Sequence, residues 1–150
     1  MKKHFITLAI AMFVTVGSIF ANGTEEVNQR VVSAFNKEFK MAKDVEWQLS
    51  KDLFKATFKM NDQVLFAFFT KEGEMLAVSR NLSSDQLPIQ LATGLKNNYE
   101  GFWISDLFEL SSQNETGYYV TIENADQKIV LKSYGINGWQ VYKKEKKELI

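Results

Sequence analysis

The 150-residue sequence contains no cysteine, one histidine and one proline. Without cysteine, the chain has no disulfides, no thiol nucleophile and no lipoprotein anchor. The only histidine is His4, near the N-terminus. Catalytic triads and ordinary zinc or copper sites depend on histidine or cysteine, so the remainder of the chain lacks the residues that these sites need. The single proline argues against a long disordered chain.

Neither sign of charge dominates, because 18 basic residues face 18 acidic ones. This balance lacks the basic surface of a nucleic-acid-binding protein, so no nucleic-acid partner is predicted. Carboxylates remain for acid–base chemistry, but Glu72 and Glu74 fall at a predicted hairpin tip. Asp106 and Glu109 fall in a predicted strand. The sequence therefore predicts a non-enzymatic protein without a catalytic, cofactor or metal site.

The N-terminus has the parts of an export signal. Lys2 and Lys3 precede an apolar run over residues 5–16, and Ala21 is a small residue suited to cleavage. An uncleaved membrane anchor is the alternative, but a spanning helix needs about 20 apolar residues. We therefore predict a signal peptide over 1–21 and a mature domain over 22–150. The location follows as periplasmic or secreted, with no stable membrane span after cleavage.

The first part of the mature chain combines one helical pattern with four strand patterns. Apolar residues recur at helical spacing from Val27, and Thr24 suits the N-cap, which predicts a helix over about 24–42. The apolar period then changes to two, and this alternation predicts strands near 45–49, 54–60, 64–70 and 75–80.

The same order of signals follows a second time. Residues 83–85 offer helix caps, and Leu87, Leu91, Leu95 and Tyr99 lie at helical spacing. Strands are predicted over 102–110, 118–123, 129–134 and 139–143, and the charged tail is predicted to be frayed. We predict an α+β fold made of tandem helix-plus-four-strand repeats, over about 24–80 and 83–143. They would form one antiparallel sheet with two helices packed on one face.

Four segments carry a family resemblance: "VVSAFNKEFKMAKDVEW", "LFKATFKMNDQVLFAFFTKEGE", "DQLPIQLATGLKNNYEG" and "YYVTIENADQKIVLKSYGINGWQVY". The chain resembles the PepSY-like, β-lactamase-inhibitor-protein-like (BLIP-like) family of exported bacterial domains. The resemblance implies a tandem unit of one helix and several strands, which gives an antiparallel sheet backed by helices. In the family's namesake, the open, concave face of the sheet binds a protein enzyme and blocks it. The PepSY name also carries a proposal of peptidase inhibition. This chain lacks the namesake's disulfides, so the namesake's partner does not transfer.

The strand predicted over 64–70 begins with six apolar residues and so lacks the alternation of a half-buried strand. A two-residue turn at Asn61-Asp62 sets its pairing with the preceding strand. The pairs predicted to face the helices are uniformly apolar: Phe58 with Leu65, Ala56 with Ala67, and Phe54 with Phe69. The pairs predicted for the helix-free face are mixed: Lys59 with Val64, Thr57 with Phe66, and Lys55 with Phe68.

Aromatic residues predicted for the helix-free face form the candidate binding site. We predict that Phe66, Phe68, Tyr119 and Tyr142 contribute to a contact surface for an unknown protein partner. In the alternative interpretation, a curled sheet covers these residues and they are only core. Two further functions remain open: a carrier of a small hydrophobic ligand or lipid, and a structural homodimer formed through the open face or an edge strand.

Overall fold

The computed structural model describes residues 27–113 and 115–147. The predicted signal peptide and the predicted cap Thr24 lie outside these residues. Within the described part of the chain, no helix combines the length and apolar character needed to cross a membrane.

One helix and four strands are followed by a second helix and four more strands. The first group is α1 (Gln29–Glu38), β1 (Lys43–Ser50), β2 (Leu53–Met60), β3 (Gln63–Thr70) and β4 (Met75–Asn81). After a 3₁₀ turn at Ser84–Gln86 come α2 (Ile89–Asn98), β5 (Trp103–Ser112), β6 (Glu115–Glu123), β7 (Gln127–Tyr134) and β8 (Gln140–Lys146). The strands form one antiparallel sheet in the order β1 to β8. This arrangement confirms the predicted α+β fold.

Helix α1 is shorter than the predicted range of 24–42. Asn28 is its N-cap, and the side-chain oxygen of Asn28 accepts a hydrogen bond of 3.1 Å from the Val31 amide. The helix ends at Glu38 because Phe39 leaves helical geometry, with φ −118° and ψ 59°. Met41 therefore does not continue the apolar stripe, and its side chain is exposed.

The second helix also begins later than its first predicted cap. Ser83 caps the 3₁₀ turn, where its backbone amide donates to the Gln86 side-chain oxygen at 2.9 Å. Helix α2 starts only after Pro88, which occupies its N-cap position without a side-chain hydrogen bond. The polar cluster at 83–85 therefore shapes the approach to α2 rather than its first turn.

The predicted pairing of β2 with β3 is confirmed at all six positions. Asn61 and Asp62 form the two-residue turn, and both have positive φ, at 52° and 61°. Such a turn matches the twist of the flanking strands and fixes which residues share a face. The turn chemistry thus determines which apolar residues of β3 point toward the helices.

Both helices pack on one face of the sheet. Val31 and Phe35 of α1 share a core with the inward residues of β2 and β3, namely Phe54, Ala56, Phe58, Leu65, Ala67 and Phe69. Leu91 and Leu95 of α2 share a second core with Leu107, Val120, Ile122, Ile129 and Leu131. The β3–β4 and β4–β5 registers place Ala67 and Leu107 on the same face. The opposite face carries no helix of the described residues.

The charged tail is ordered for longer than predicted. Strand β8 continues to Lys146, and the Lys147 amide donates to the Asp126 carbonyl at 2.8 Å. The Lys147 ammonium also lies 2.9 Å from the Glu123 carboxylate and 4.9 Å from the centre of the Trp103 ring. These contacts attach the end of β8 to β6, so the prediction of a frayed tail is wrong for residues 143–147.

Candidate protein-binding face

The helix-free face has an apolar cluster of its own. Phe68, Ala77, Phe108, Leu110 and Tyr119 are buried there, and Phe66, Leu76 and Tyr142 pack against them. We call these eight residues the outer cluster. Strands β3 to β6 and β8 supply its members, so it crosses the junction between β4 and β5. The cluster explains the loss of alternation in β3, because both sides of that strand face apolar groups.

The four predicted contact residues all belong to the outer cluster, but they differ in exposure. Phe68 and Tyr119 are only 3% and 2% exposed, so the expectation that they lie open to solvent is wrong. Their neighbours in the cluster cover them without any helix. Phe66 and Tyr142 are half-buried and remain accessible at the surface. A partner would therefore touch Phe66 and Tyr142 directly, with Phe68 and Tyr119 beneath them.

Phe108 is a further residue of this face that the sequence did not predict, and its ring packs on Tyr119. The two rings stack with centroids 5.1 Å apart and planes 12° from parallel. Their Cα positions are paired between β5 and β6, which places the rings side by side. The signal in the sequence was the pair Leu107-Phe108, where two consecutive apolar residues again break alternation.

Three tyrosines meet at the β6–β8 side of the outer cluster. Tyr142 contacts Tyr119 edge-on at 6.4 Å between centroids, and Tyr134 shares a side-chain hydrogen bond with Tyr119. Burial and that hydrogen bond raise the pKa of Tyr119 far above its usual value, so its hydroxyl stays protonated. A Cβ atom at Gly117 would lie 3.2 Å from the Tyr119 ring, so glycine leaves room for this packing.

Two lysines lie over aromatic rings in or next to the outer cluster. The Lys55 ammonium is 4.6 Å from the centre of the Phe66 ring. The Lys132 ammonium is 5.3 Å from the Tyr134 ring and 5.4 Å from the Tyr142 ring. Both lysines are half-buried, and burial lowers the pKa of Lys55. The accessible aromatics are therefore accompanied by positive charge.

Ser79 places an unsatisfied polar group beneath this surface. It is 2% exposed and is paired with Phe66 on one side and Leu110 on the other. Within the described residues, its hydroxyl is the only buried side-chain polar atom without a hydrogen-bond partner. Such a group costs about 1–3 kcal/mol of stability. Ser79 therefore works against the stability of the isolated fold.

A separate cleft of about 700 Å³ opens on the helix side, between α2 and the first residues of β5. Leu87, Leu95, Phe102, Ile104 and Ile122 supply apolar walls, and Lys96 and Glu100 are polar members of the lining. Ile104 is 41% exposed there. In the described residues, no group of three or more His, Cys, Asp or Glu side chains is placed to hold a metal ion.

Comparison with solved structures supports the fold. A DUF2874 family protein from Bacteroides ovatus aligns with a TM-score of 0.72 and 17% identity, over 81% of this chain and 89% of its own. A BLIP-like protein from Bacteroides fragilis aligns with a TM-score of 0.70 and 21% identity, over 83% of this chain and 89% of its own. A candidate periplasmic protein from Bacteroides eggerthii aligns with a TM-score of 0.71 and 13% identity, over 81% of this chain and 89% of its own.

No protein-family model and no curated protein matches the sequence. At these identities the structural neighbours establish a shared fold and nothing about activity. The BLIP-like part of the predicted resemblance is therefore supported at the level of the fold.

Proposed function

We propose that this chain is an exported, non-enzymatic binding module that holds a protein partner against the helix-free face of its sheet. The observation that carries the proposal is the outer cluster, an apolar surface with accessible Phe66 and Tyr142 on a face that no described helix covers. Aromatic residues among polar groups are typical of protein-recognition surfaces. The partner is an enzyme or peptidase that the contact inhibits, in line with the BLIP-like description of one structural neighbour.

Export is supported by the N-terminal pattern and by the candidate periplasmic neighbour. Cleavage after Ala21 leaves the mature domain over 22–150, with two units over about 24–80 and 83–143. Mass spectrometry of the exported protein tests the cleavage site. A mature N-terminus at Asn22 is expected, whereas one at Ala21 would place the cleavage one peptide bond earlier.

Site-specific photo-crosslinking in the producing cell tests the binding face. A photoreactive residue at position 66 or 142 reports on the outer cluster, and one at position 89 is the control, because Ile89 is 75% exposed on α2. We expect the same protein adduct from positions 66 and 142 and none from position 89. An adduct confined to position 89 contradicts the proposal, and an adduct of two copies of this chain indicates the homodimer instead.

The identified partner is then purified and its binding measured by calorimetry. We expect the double variant Phe66→Ser, Tyr142→Ser to weaken binding at least tenfold, because accessible aromatics dominate such contacts. Unchanged affinity contradicts the assignment of this face. If the partner is an enzyme, its activity should fall to zero at one equivalent of the chain.

The cleft beneath α2 favours a second candidate, a carrier of a small hydrophobic ligand. Its volume lies within the range of known ligand sites, which is about 300–1,000 Å³. Titration with a fluorescent fatty acid tests this function. Saturable binding that Ile104→Lys removes would support the carrier, whereas the Phe66→Ser variant should leave that binding unchanged.

A further inference from the structure

Two lysines beside the outer cluster, Lys55 and Lys132, lie over aromatic rings instead of carboxylates. Six basic side chains of the described residues form ion pairs. Among the described ones that form none, only Lys55 and Lys132 are half-buried, and the others are exposed. Both are half-buried, so water stabilises their charges less than it does at an open surface. A half-buried ammonium without a carboxylate gains more from an incoming anion than a fully hydrated one does.

The carboxylates of the same face are engaged or lie toward its margins. Glu123 binds Lys128 and Lys147, and Glu145 contacts Lys143. Asp106 and Glu115 lie near opposite ends of the β5–β6 pair and form no ion pair among the described residues. Glu46 lies on this face on the edge strand β1, where it is paired with Thr57, and it forms no ion pair among the described residues. The ammonium groups that lie over the rings are those of Lys55, at Phe66, and Lys132, at Tyr134 and Tyr142.

The separation of the two lysines restricts the kind of partner. Lys55 lies on β2 and Lys132 on β7, five strand spacings apart in the sheet order. At about 4.8 Å per spacing, the two strands are roughly 24 Å apart across a flat sheet. A drug-sized molecule does not reach both lysines over that distance, whereas the surface of a folded protein does.

We infer that the partner is a folded protein whose contact surface has an apolar centre flanked by two carboxylates, one received by Lys55 and one by Lys132. The inference rests on the proposed function, because it assigns chemistry to the same face. The apolar centre would pack on Phe66 and Tyr142. The carboxylates would approach the lysines from solvent, while the rings continue to hold the stems of both lysines in place.

A defined library tests this chemistry without knowledge of the natural partner. The probe is a yeast-displayed folded scaffold with randomised surface positions, and the exported chain is the bait. We expect enriched binders to carry two Asp or Glu residues on either side of an aromatic or aliphatic patch. Lys55→Met and Lys132→Met should each weaken them about tenfold, since loss of one such contact commonly costs that much or more.

Controls separate local contacts from net charge and stability. Lys40→Met removes one positive charge from an exposed turn away from the sheet face and should leave binding unchanged. Lys55→Arg keeps the charge and should retain most of the affinity. Raising the salt concentration should weaken the wild-type complexes more than those of the methionine variants.

The outcomes distinguish the inference from the proposed function. Binders that lose affinity in Phe66→Ser but carry no paired acids overturn the inference and leave the binding face intact. Acidic binders that Lys40→Met weakens as much as Lys55→Met also overturn it. A selection in which no binder is sensitive to Phe66→Ser or Tyr142→Ser overturns both.

Discussion

The indole nitrogen of Trp139 donates a hydrogen bond of 2.8 Å to the Leu91 carbonyl in the first turn of α2. Gly94, one turn further along the helix, faces the same ring, and its Cβ position lies 3.4 Å from Trp139 Cδ1. The residue that enters β8 is therefore fixed against α2 by both a hydrogen bond and a close contact.

Gly94→Ala should stabilise the protein by about 0.5–1 kcal/mol, because alanine is the better helix former and the added methyl meets Trp139 at an ordinary contact distance. Chemical denaturation with urea measures the change. Gly138→Ala is the matched control and should destabilise, since Gly138 has φ +90°, where side chains are strained. A loss of stability in Gly94→Ala would mean that the Trp139 ring cannot move aside.

Substitution of a covered ring should cost far more stability than substitution of an accessible one. Tyr119→Ala removes a buried ring stacked on Phe108 and should lower the free energy of unfolding by about 3–5 kcal/mol. Phe66→Ser alters a half-buried side chain, and we expect a loss below about 1.5 kcal/mol. Urea denaturation of both variants measures the difference. Equal losses would mean that Phe66 belongs to the buried core and is not a contact residue.

Ser79→Ala should leave stability unchanged or increase it by about 1 kcal/mol, because it removes a buried hydroxyl without a hydrogen bond. Thermal unfolding followed by circular dichroism measures the change. Ser133 is a suitable comparison, since its buried hydroxyl donates to the Gly135 carbonyl at 3.5 Å. Ser133→Ala is expected to destabilise slightly. Destabilisation by Ser79→Ala would indicate that the hydroxyl has a partner in solution.

The Glu123 carboxylate should contribute stability that depends on pH. Hydrogen bonds from Lys147 and Ser105 lower the pKa of Glu123 from an ordinary value of 4.5 to about 2. Because the folded value is the lower one, the contribution is fully present above about pH 4.5 and is lost as the pH falls toward 2. Urea denaturation of wild type and Glu123→Gln at pH 7, 4 and 2 checks this. The two proteins should converge at pH 2, and a constant difference over that range contradicts the assignment.

The hairpin around Asn61 and Asp62 was predictable because local chemistry determined it. Two turn residues that tolerate positive φ fixed the register, and the register fixed the face of each side chain. The burial of Phe68 and Tyr119 was not predictable in this way. It depends on Phe108 and Tyr142, which reach Tyr119 from strands on either side of β6, and alternation within one strand carries no information about them.

The end of α1 at Glu38 was not predictable from helical spacing for a related reason. Met41 and Ala42 fit the helical spacing, but the chain must turn at Phe39 to place Ala42 against the first core. The lysine positions over Phe66 and Tyr134 likewise required coordinates, since each cation–ring contact joins side chains whose proximity depends on the sheet register and on rotamers.

The sequential order of the strands has a consequence for how the molecule assembles. Seven neighbouring strand pairs hold the sheet, and six of them join strands connected directly by a turn. Contacts between residues close in sequence favour rapid folding. Only β4 and β5 are separated in sequence by a helix. Their pairing closes the longest loop between neighbouring strands, so we expect it to form later than the hairpins on either side. The outer cluster spans that seam, so it is complete only after the two halves of the sheet have paired.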